Sequence, residues 1–237
     1  MTRPPFVRFN ELRPEHVNRD LQIHTTATDG QATIAEIISR AEVLELGEIA
    51  FTEHVRKESA YFQGFAAEVR ESRKTTNVRV YVGIEAKVED ENGTLDASSG
   101  VLAESEIVLG SVHRFPTVDG KFLPAREFRY EEAARRELAL AMALLKNAPI
   151  DVLSHPGGMC QAAFGEFPAS YFEMLMQASL ERGIAIEINT SYTRRLDEFL
   201  TICRQVNPIV SVGSDVHKLS DLATCRDALR QRGLGCQ

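Results

Sequence analysis

IVSVGSDVH, residues 209–217, is the segment that indicates the fold. Its continuous apolar run, without alternation, is typical of a parallel strand buried on both faces. The run ends at Asp215 and His217, which share one face of the strand end because side chains alternate along a strand. Further segments repeat this plan: DLQIHTTATDG (20–30), IAFTEH (49–54), VRVYVGIEA (78–86), IVLGSVH (107–113) and IDVLSHPGG (150–158).

Helical stretches alternate with these strands and with a seventh strand-like run, GIAIEINTS at 183–191. They are predicted at residues 33–46, 58–76, 96–105, 126–146, 168–182, 194–206 and 219–232. This alternation predicts right-handed βαβ units, in either a barrel one unit short of eight or an open doubly wound sheet. Histidine or acidic residues end six of the seven runs, and a barrel gathers residues from all its strands at one mouth. The pattern therefore favours a single-domain α/β barrel over residues 20–237, with residues 1–19 as a leader on its lower end or edge.

Composition limits the class of protein. The formal net charge of −7 gives no broad cationic surface for long nucleic acids, although a local basic groove is compatible with it. The start of the chain lacks the apolar core of a secretory signal, and no apolar run approaches the roughly 18 residues of a membrane span. The four cysteines form no CxxC pair and are interpreted as reduced thiols. A cytoplasmic protein without a membrane segment is expected.

Histidine placement indicates a metal site. Five of the six histidines lie at strand ends, together with carboxylates. The candidate ligands are His24, Asp29, His54, Glu85, His113, His155, Asp215 and His217. Imidazole and carboxylate groups bind zinc, manganese and iron, and the wide separation of these residues excludes a zinc-finger module.

The number of candidate ligands predicts several ions. Eight donors exceed the needs of one tetrahedral ion, so two or three divalent ions (Zn, Mn or Fe) are expected. A multinuclear site requires a bridging carboxylate, and Glu85, alone at the end of the third run, is the candidate. Such ions activate water at neutral pH and offset the charge of a phosphate. Hydrolysis of a phosphate ester is therefore the predicted chemistry.

The segments DLQIHTTATDG, TEH, GIE, SVH, SHP and SDVH resemble the polymerase and histidinol phosphatase (PHP) family, in the same order, over about residues 20–229. The resemblance implies a distorted (β/α)7, TIM-like barrel and a metal-dependent phosphoesterase. The QIHTTATDG form, with GTLD at 93–96, is similar to the PHP domain of bacterial family X DNA polymerases. Those domains are associated with nuclease and phosphoesterase activity.

The resemblance also implies ligand sets. His24, Glu85 and Asp215 would bind one ion; Glu85, His113 and His155 a second; and Asp29, His54 and His217 a third. Catalytic roles are assigned to Glu85, Asp215 and His217. Gln22 stands where most members have a histidine, so it is an uncertain ligand of a weaker or exchangeable first site. Glu53 replaces a commoner aspartate and is expected beside the ligands, accepting a hydrogen bond from the distal N–H of a histidine.

Other polar residues are candidates for substrate binding. Arg194 and Arg195 follow the sixth strand-like run and could bind phosphate bidentately, although they could also be solvated residues at a helix start. Asn189 ends that run and could contact substrate or cap the backbone. Lys218, Arg56 and Arg114 flank ligands and are further candidates to contact phosphate.

Three functions are considered. The first is a histidinol-phosphatase-like phosphomonoesterase that hydrolyses a small phosphorylated metabolite. The second is a phosphodiesterase or 3'-5' exonuclease on nucleic acid, which the QxH form motivates. The third is a catalytically degenerate binding module, for which Gln22 is the only support.

Overall fold

The computed structural model of the chain describes residues 3–117 and 120–235. Its strands are β1 (Val7–Arg8), β2 (Arg19–Ile23), β3 (Glu48–Val55), β4 (Arg79–Lys87), β5 (Ile107–Ser111), β6 (Phe115–Pro116), β7 (Phe122–Leu123), β8 (Val152–Leu153), β9 (Ala185–Asn189) and β10 (Ile209–Gly213). Its α-helices are α1 (Pro14–Val17), α2 (Ile34–Val43), α3 (Phe62–Ser72), α4 (Ser99–Glu104), α5 (Tyr130–Asn147), α6 (Gly158–Phe164), α7 (Ala169–Arg182), α8 (Leu196–Val206) and α9 (Thr224–Gln231).

Seven strands form a parallel sheet in the order β2, β3, β4, β5, β8, β9, β10. Its two ends meet at a parallel bridge between Ile23 and Val216. There the His24 N–H donates to the Val216 carbonyl at 2.9 Å, and the Val216 N–H donates to the Gln22 carbonyl at 3.0 Å. The sheet is therefore closed, and the prediction of a (β/α)7 barrel is confirmed.

Two apolar clusters account for the continuous hydrophobicity of the strands. The smaller one consists of Leu21, Ala50, Tyr81, Ile107, Leu109, Val152 and Ala185. These residues come from successive strands and precede the polar strand ends, so they fill the barrel interior below the candidate ligands. The larger cluster packs the helices on the outside, for example Ile37 of α2 and Leu144 of α5. Each such side chain contributes about 1.5–3 kcal/mol when fully buried.

An irregularity in β2 positions polar residues in the interior. The register of β2 against β3 shifts between Asp20 and Ile23. Leu21 belongs to the interior cluster, and the next side chain, Gln22, reaches Asn189 on β9. Regular alternation would send one of these two neighbours outward, so the shift acts as a β-bulge beside the site.

The predicted helices are present, mostly with shorter bounds. Thr33 and Glu36 form the expected capping box at the start of α2. The stretch predicted at 58–76 is helical only from Phe62, and ends as a 3-10 turn at Arg73–Thr75. The stretch predicted from residue 219 begins as an α-helix only at Thr224.

Two predicted loops contain regular structure. Residues 157–165 include α6, whose first amides, those of Met159 and Cys160, donate to the buried Glu137 carboxylate at 3.0 and 2.8 Å. A carboxylate from α5, distant in sequence, stabilises this helix start, so no local capping signal predicted it. Residues 114–126 contain the antiparallel pair β6–β7.

The N-terminal segment contacts the barrel beside β10. Strand β1 pairs antiparallel with the beginning of β10, Val7 opposite Val210. The buried Arg19 guanidinium donates to the Pro5 carbonyl at 2.7 Å and lies 3.1 Å from Glu48. Within the described ranges, no helix combines the length and apolar character needed to cross a membrane.

Candidate metal centre

The candidate ligands lie together at the carboxyl ends of the barrel strands. His54 and Glu85 belong to β3 and β4, and the other six follow β2, β5, β8 and β10 within a few residues. In a parallel barrel these ends share one rim, so residues far apart in sequence meet there. We call this cluster of eight side chains the metal centre: His24, Asp29, His54, Glu85, His113, His155, Asp215 and His217.

Glu85 connects two groups of histidines through its two oxygens. Its Oε1 lies 2.7 Å from Nε2 of His155 and 3.2 Å from Nε2 of His113. Its Oε2 lies 3.2 Å from Nδ1 of His54 and 3.5 Å from Nε2 of His24. The carboxylate is 2% exposed. This position between the two groups is the one that a bridging ligand occupies.

Asp29 and Asp215 complete the centre on its other side. Asp29 lies 3.3 Å from Nε2 of both His54 and His217, and is half exposed. Asp215 lies 3.2 Å from Nε2 of His24 and 3.8 Å from Nδ1 of His217. The turn signal at Asp29–Gly30 thus marks both a turn and a side chain aimed at the histidines.

Three groups of donor atoms are close enough to hold an ion each. Their members are His24, Glu85 and Asp215; His54, Glu85 and His113; and His24, Asp29, His54 and His217. The first matches the set implied by the resemblance. The other two share His54 or His24 with a neighbouring group, whereas His155 contacts Glu85 and His113 from the side.

The donor atoms are arranged in a way that suits cation binding better than hydrogen bonding to one another. His24 Nε2 is buried between Glu85 Oε2 at 3.5 Å and Asp215 at 3.2 Å, yet it has no hydrogen-bond partner among the described residues. The Nε2 atoms of His113 and His155 face each other at 3.3 Å. Buried polar atoms usually have a partner, so this convergence of lone pairs favours a bound cation.

The surroundings of His54, His155 and Glu85 shift the pKa of each toward its charged form. Burial alone would lower the pKa of His54 and of His155, but the hydrogen bond to and charge of Glu85 outweigh it and raise each to about 9. Burial would likewise raise the pKa of Glu85, but His113, His155 and His54 hold it well below its usual value. The ion-free centre therefore contains protons that divalent ions must displace.

Two ligands adopt left-handed backbone conformations. His155 has φ 28° and Asp215 has φ 52°. Such conformations are uncommon for residues other than glycine, and they concentrate at functional sites. The His155 N–H donates to Glu187 at 2.7 Å, which stabilises this conformation.

Glu53 has partners other than the expected histidine. Its Oε1 accepts from the Thr25 N–H at 2.7 Å, and its Oε2 accepts from the Thr28 hydroxyl. Within the described chain no histidine ring donates to it. Glu53 therefore positions the loop that carries Asp29, and acts on the centre through that loop.

Three of the residues predicted to bind substrate, Asn189, Arg194 and Arg195, are not among those that line the pocket beside the metal centre. Arg195 pairs with Glu166 at 3.6 Å and Glu198 at 3.5 Å, and Arg194 is exposed. Asn189 is fully buried and hydrogen-bonds to Gln22 and Glu187, so its contacts are with the protein.

A pocket of about 540 Å³ opens directly onto the metal centre. Its floor includes Asp29, His54, Glu85 and His113, and its walls include Arg56, Lys87, Arg114 and Phe122. Lys87 lies 3.3 Å from Asp96 and 4.8 Å from the centroid of the Phe122 ring. Arg56 and Arg114 are exposed and have no acidic partner among the described residues.

Sequence reasoning missed two buried carboxylates next to the centre. Burial raises the pKa of Glu187, on β9, to about 8. Burial also raises the pKa of Asp20, on β2, to about 6, and Asp20 accepts from the Ser214 and Ala223 N–H groups, both at 2.9 Å. In the sequence, the only sign of these two carboxylates is an acidic residue within or beside an apolar run. Of the cysteines, Cys160, Cys203 and Cys225 are buried free thiols, and Cys236 lies outside the described residues.

Comparisons with known proteins agree with this geometry. The family model described as PHP domain matches residues 20–191. A protein of Thermoanaerobacter sp. (strain X514), named a probable phosphatase, is 30% identical over 223 residues, covering 89% of this chain and 84% of that protein. A probable phosphatase of Caldanaerobacter subterraneus subsp. tengcongensis is 31% identical over 167 residues, which cover 66% of this chain but 58% of the relative.

A solved structure shows the same fold. It is that of a candidate histidinol phosphatase from Listeria monocytogenes, with a TM-score of 0.70, covering 89% of this chain and 99% of that one. Its sequence identity of 14% limits the likeness to the fold.

Proposed function

Because the chain belongs to the PHP domain family and so is a hydrolase of phosphate esters, we propose that it is a metal-dependent phosphomonoesterase acting on a small phosphorylated metabolite. The observation that carries this proposal is the position of Glu85, which faces histidines on both sides at the floor of a pocket. The walls of this pocket include two arginines, Arg56 and Arg114, that have no acidic partner within residues 3–117 and 120–235. Cations bound at the floor and the arginine side chains in the walls would both attract a negatively charged phosphate group.

The ligand residues would hold two or three divalent ions in the groups described above. Ions bound there supply Lewis acidity, which brings the pKa of a bound water toward neutrality and offsets the charge of the phosphate. Of the residues with predicted catalytic roles, the side chains of Glu85 and Asp215 are 1% and 8% exposed, whereas that of His217 is 31% exposed. Of the three, Glu85 lines the pocket floor, whereas His217, although more exposed, lies on the far side of Asp29, 3.3 Å from its carboxylate.

Arg56 and Arg114 support binding of the phosphate in this pocket. Each follows a ligand closely in sequence, His54 and His113 respectively, and is exposed toward the opening. A guanidinium without an acidic partner can donate two parallel hydrogen bonds to phosphate oxygens. The pocket volume of about 540 Å³ suits a metabolite-sized ligand.

The proposal is tested by incubating the chain with Mn²⁺ or Zn²⁺ and a panel of phosphomonoesters, with phosphate release as the readout. Histidinol phosphate belongs in the panel, and labelled single-stranded DNA and RNA test the nuclease hypothesis. Ion-dependent phosphate release from a monoester is the expected result. Strand cleavage with no monoester turnover would overturn the proposal in favour of the nuclease.

Arginine variants separate the two candidate substrate sites. Arg56→Ala and Arg114→Ala should each raise the KM about tenfold, while Arg195→Ala should change it little. Arg135→Ala, an exposed arginine on α5, is the matched control. A larger effect of Arg194→Ala or Arg195→Ala than of the pocket variants would move substrate binding to the start of α8.

A further inference from the structure

A buried chain of polar side chains crosses the barrel interior beside the metal centre. Asn189 Nδ2 on β9 donates to Gln22 Oε1 on β2 at 2.8 Å and to Glu187 Oε2 at 3.2 Å. Glu187 Oε2 also accepts from the His155 N–H. The three side chains are 0–1% exposed. This network determines which end of the Gln22 amide faces the ligands.

Asn189 has its orientation fixed by the backbone that follows it. Its Oδ1 accepts from the N–H groups of Ser191 at 2.9 Å and Tyr192 at 3.2 Å. Rotating the amide by half a turn would point its NH2 at these donors, so the Nδ2 atom must face Gln22. An NH2 group can only donate, and Gln22 must therefore present its oxygen to Asn189.

Gly213 allows this contact between strands that are not neighbours. It lies on β10, between β2 and β9 in the sheet. A Cβ atom there would lie 2.1 Å from Glu187 Oε1 and 2.9 Å from the Gln22 Cβ. Because Gly213 has no side chain, those of Gln22, Asn189 and Glu187 can contact one another across β10.

The other end of the Gln22 amide has no partner. Nε2 of Gln22 is fully buried and makes no hydrogen bond within the described chain. Gln22 precedes His24 by two residues, and Asn189 and Glu187 connect it to the His155 N–H. An amide nitrogen with both hydrogens cannot coordinate a cation, but it can donate to an oxygen atom.

We propose that Gln22 is a hydrogen-bond donor to an oxygen in the metal centre, from water or a phosphoryl group, and is not a ligand. This inference rests on the proposed metal-dependent function. The ion of His24, Glu85 and Asp215 then has three protein ligands. The neighbouring group of His54, Glu85 and His113 has a further imidazole beside it, that of His155, at 2.7 Å from Glu85 and 3.3 Å from His113. The ion at His24 is accordingly the weaker-bound one and leaves first on dialysis.

Metal content and affinity test this inference without measuring activity. Ions per chain are counted by elemental analysis after dialysis, and Mn²⁺ affinities are measured by calorimetry. Gln22→Leu removes the amide at similar volume. We expect it to retain the wild-type number of ions, with the weaker affinity changed by less than about tenfold, the smallest loss typical of a residue that supports a ligand. Loss of one ion per chain would overturn the proposal.

Asn189→Asp provides the converse test. The new carboxylate still accepts from Ser191 and Tyr192, but it accepts from Gln22 as well, so the Gln22 amide turns and its oxygen faces the centre. We expect the weaker Mn²⁺ affinity to rise about tenfold in Asn189→Asp and not in Asn189→Asp combined with Gln22→Leu, which retains the added charge. Equal affinities in these two variants would contradict the proposal.

Folding controls keep the outcomes distinct. Circular dichroism and thermal melting identify a variant that fails to fold. If one variant does so, the ion binding of the other variant tests the role of Gln22. Absence of ion binding by the wild-type chain would contradict the proposed function itself. Normal wild-type binding with loss of an ion in Gln22→Leu would contradict only the role of Gln22.

Discussion

At the scale of single residues, Glu85 has the largest effect on the proposed chemistry, because its two oxygens contact separate groups of histidines. Glu85→Gln replaces one of these oxygens by an NH2 group, which cannot coordinate an ion. We expect kcat/KM to fall about 100-fold or more, with fewer ions bound per chain, measured by kinetics and elemental analysis. Glu89→Gln, which changes a more exposed carboxylate paired with Lys57, is the control. Equal ion content in both variants would contradict a bridging role.

Asp20 makes stability depend on pH. Burial raises its pKa from 3.8 to about 6 in the folded chain, so the folded state binds more protons than the unfolded state between these values. The contribution of Asp20 to the free energy of unfolding therefore falls as the pH rises from about 4 to 6, and it stays reduced above pH 6. We expect the free energy of unfolding of Asp20→Asn, from urea titrations, to depend less on pH over this window than that of the wild type. Parallel pH profiles would contradict this account.

At the scale of elements, the packing of β10 against its neighbours depends on the glycine at position 213, which has no side chain. Gly213→Ala would push Glu187 and Gln22 apart, so we expect a loss of about 1–3 kcal/mol in the free energy of unfolding. Gly64→Ala is the matched comparison, since Gly64 is exposed in α3 with no atom near the added methyl group. It should instead stabilise the chain by about 0.5–1 kcal/mol. Equal effects of the two substitutions on urea denaturation would count against this packing.

The loop after β2 is positioned by a strand residue. Glu53 accepts hydrogen bonds from Thr25 and Thr28, and this holds Asp29 beside His54 and His217. Glu53→Ala leaves the Thr25 amide without its partner, so we expect about 1–3 kcal/mol of destabilisation and weaker binding of one ion. Urea denaturation and calorimetry measure these two effects. Unchanged ion affinities would mean that the loop is held by other contacts.

At the scale of the whole molecule, we expect ion binding to be coupled to barrel stability, because the candidate ligands lie on or directly after six strands. The pKa of His54 and of His155 is about 9 in the folded ion-free chain, above the unfolded value of 6.5. Their stabilisation is complete below about pH 6.5 and is lost as pH rises through 9. We expect the melting temperature with EDTA to fall between pH 7 and 9, and Mn²⁺ to restore it while releasing protons. Calorimetry in buffers of different ionisation enthalpy measures this release. Binding without proton release would contradict the raised pKa values.

The sequence by itself determined the barrel and most of its rim. Continuous apolar runs such as the one before Asp215 predict buried parallel strands, and parallel strands end at one rim, so the polar residues that follow them must converge. Local rules were therefore sufficient for the order of strands and helices along the chain, the capping box of α2 and the convergence of the candidate ligands.

Contacts between distant elements set which donor atoms lie close enough to share an ion, which way the Gln22 amide faces and where α6 begins. These depend on contacts across the barrel, such as those of Asn189 with Gln22 and of Glu137 with the start of α6. A one-residue bulge in β2 and the hydrogen atom of Gly213 permit the first of these contacts. The contact between Gln22 and Asn189 joins residues more than a hundred positions apart. Periodicity and propensity describe only neighbours along the chain, so they carry no information about these pairs.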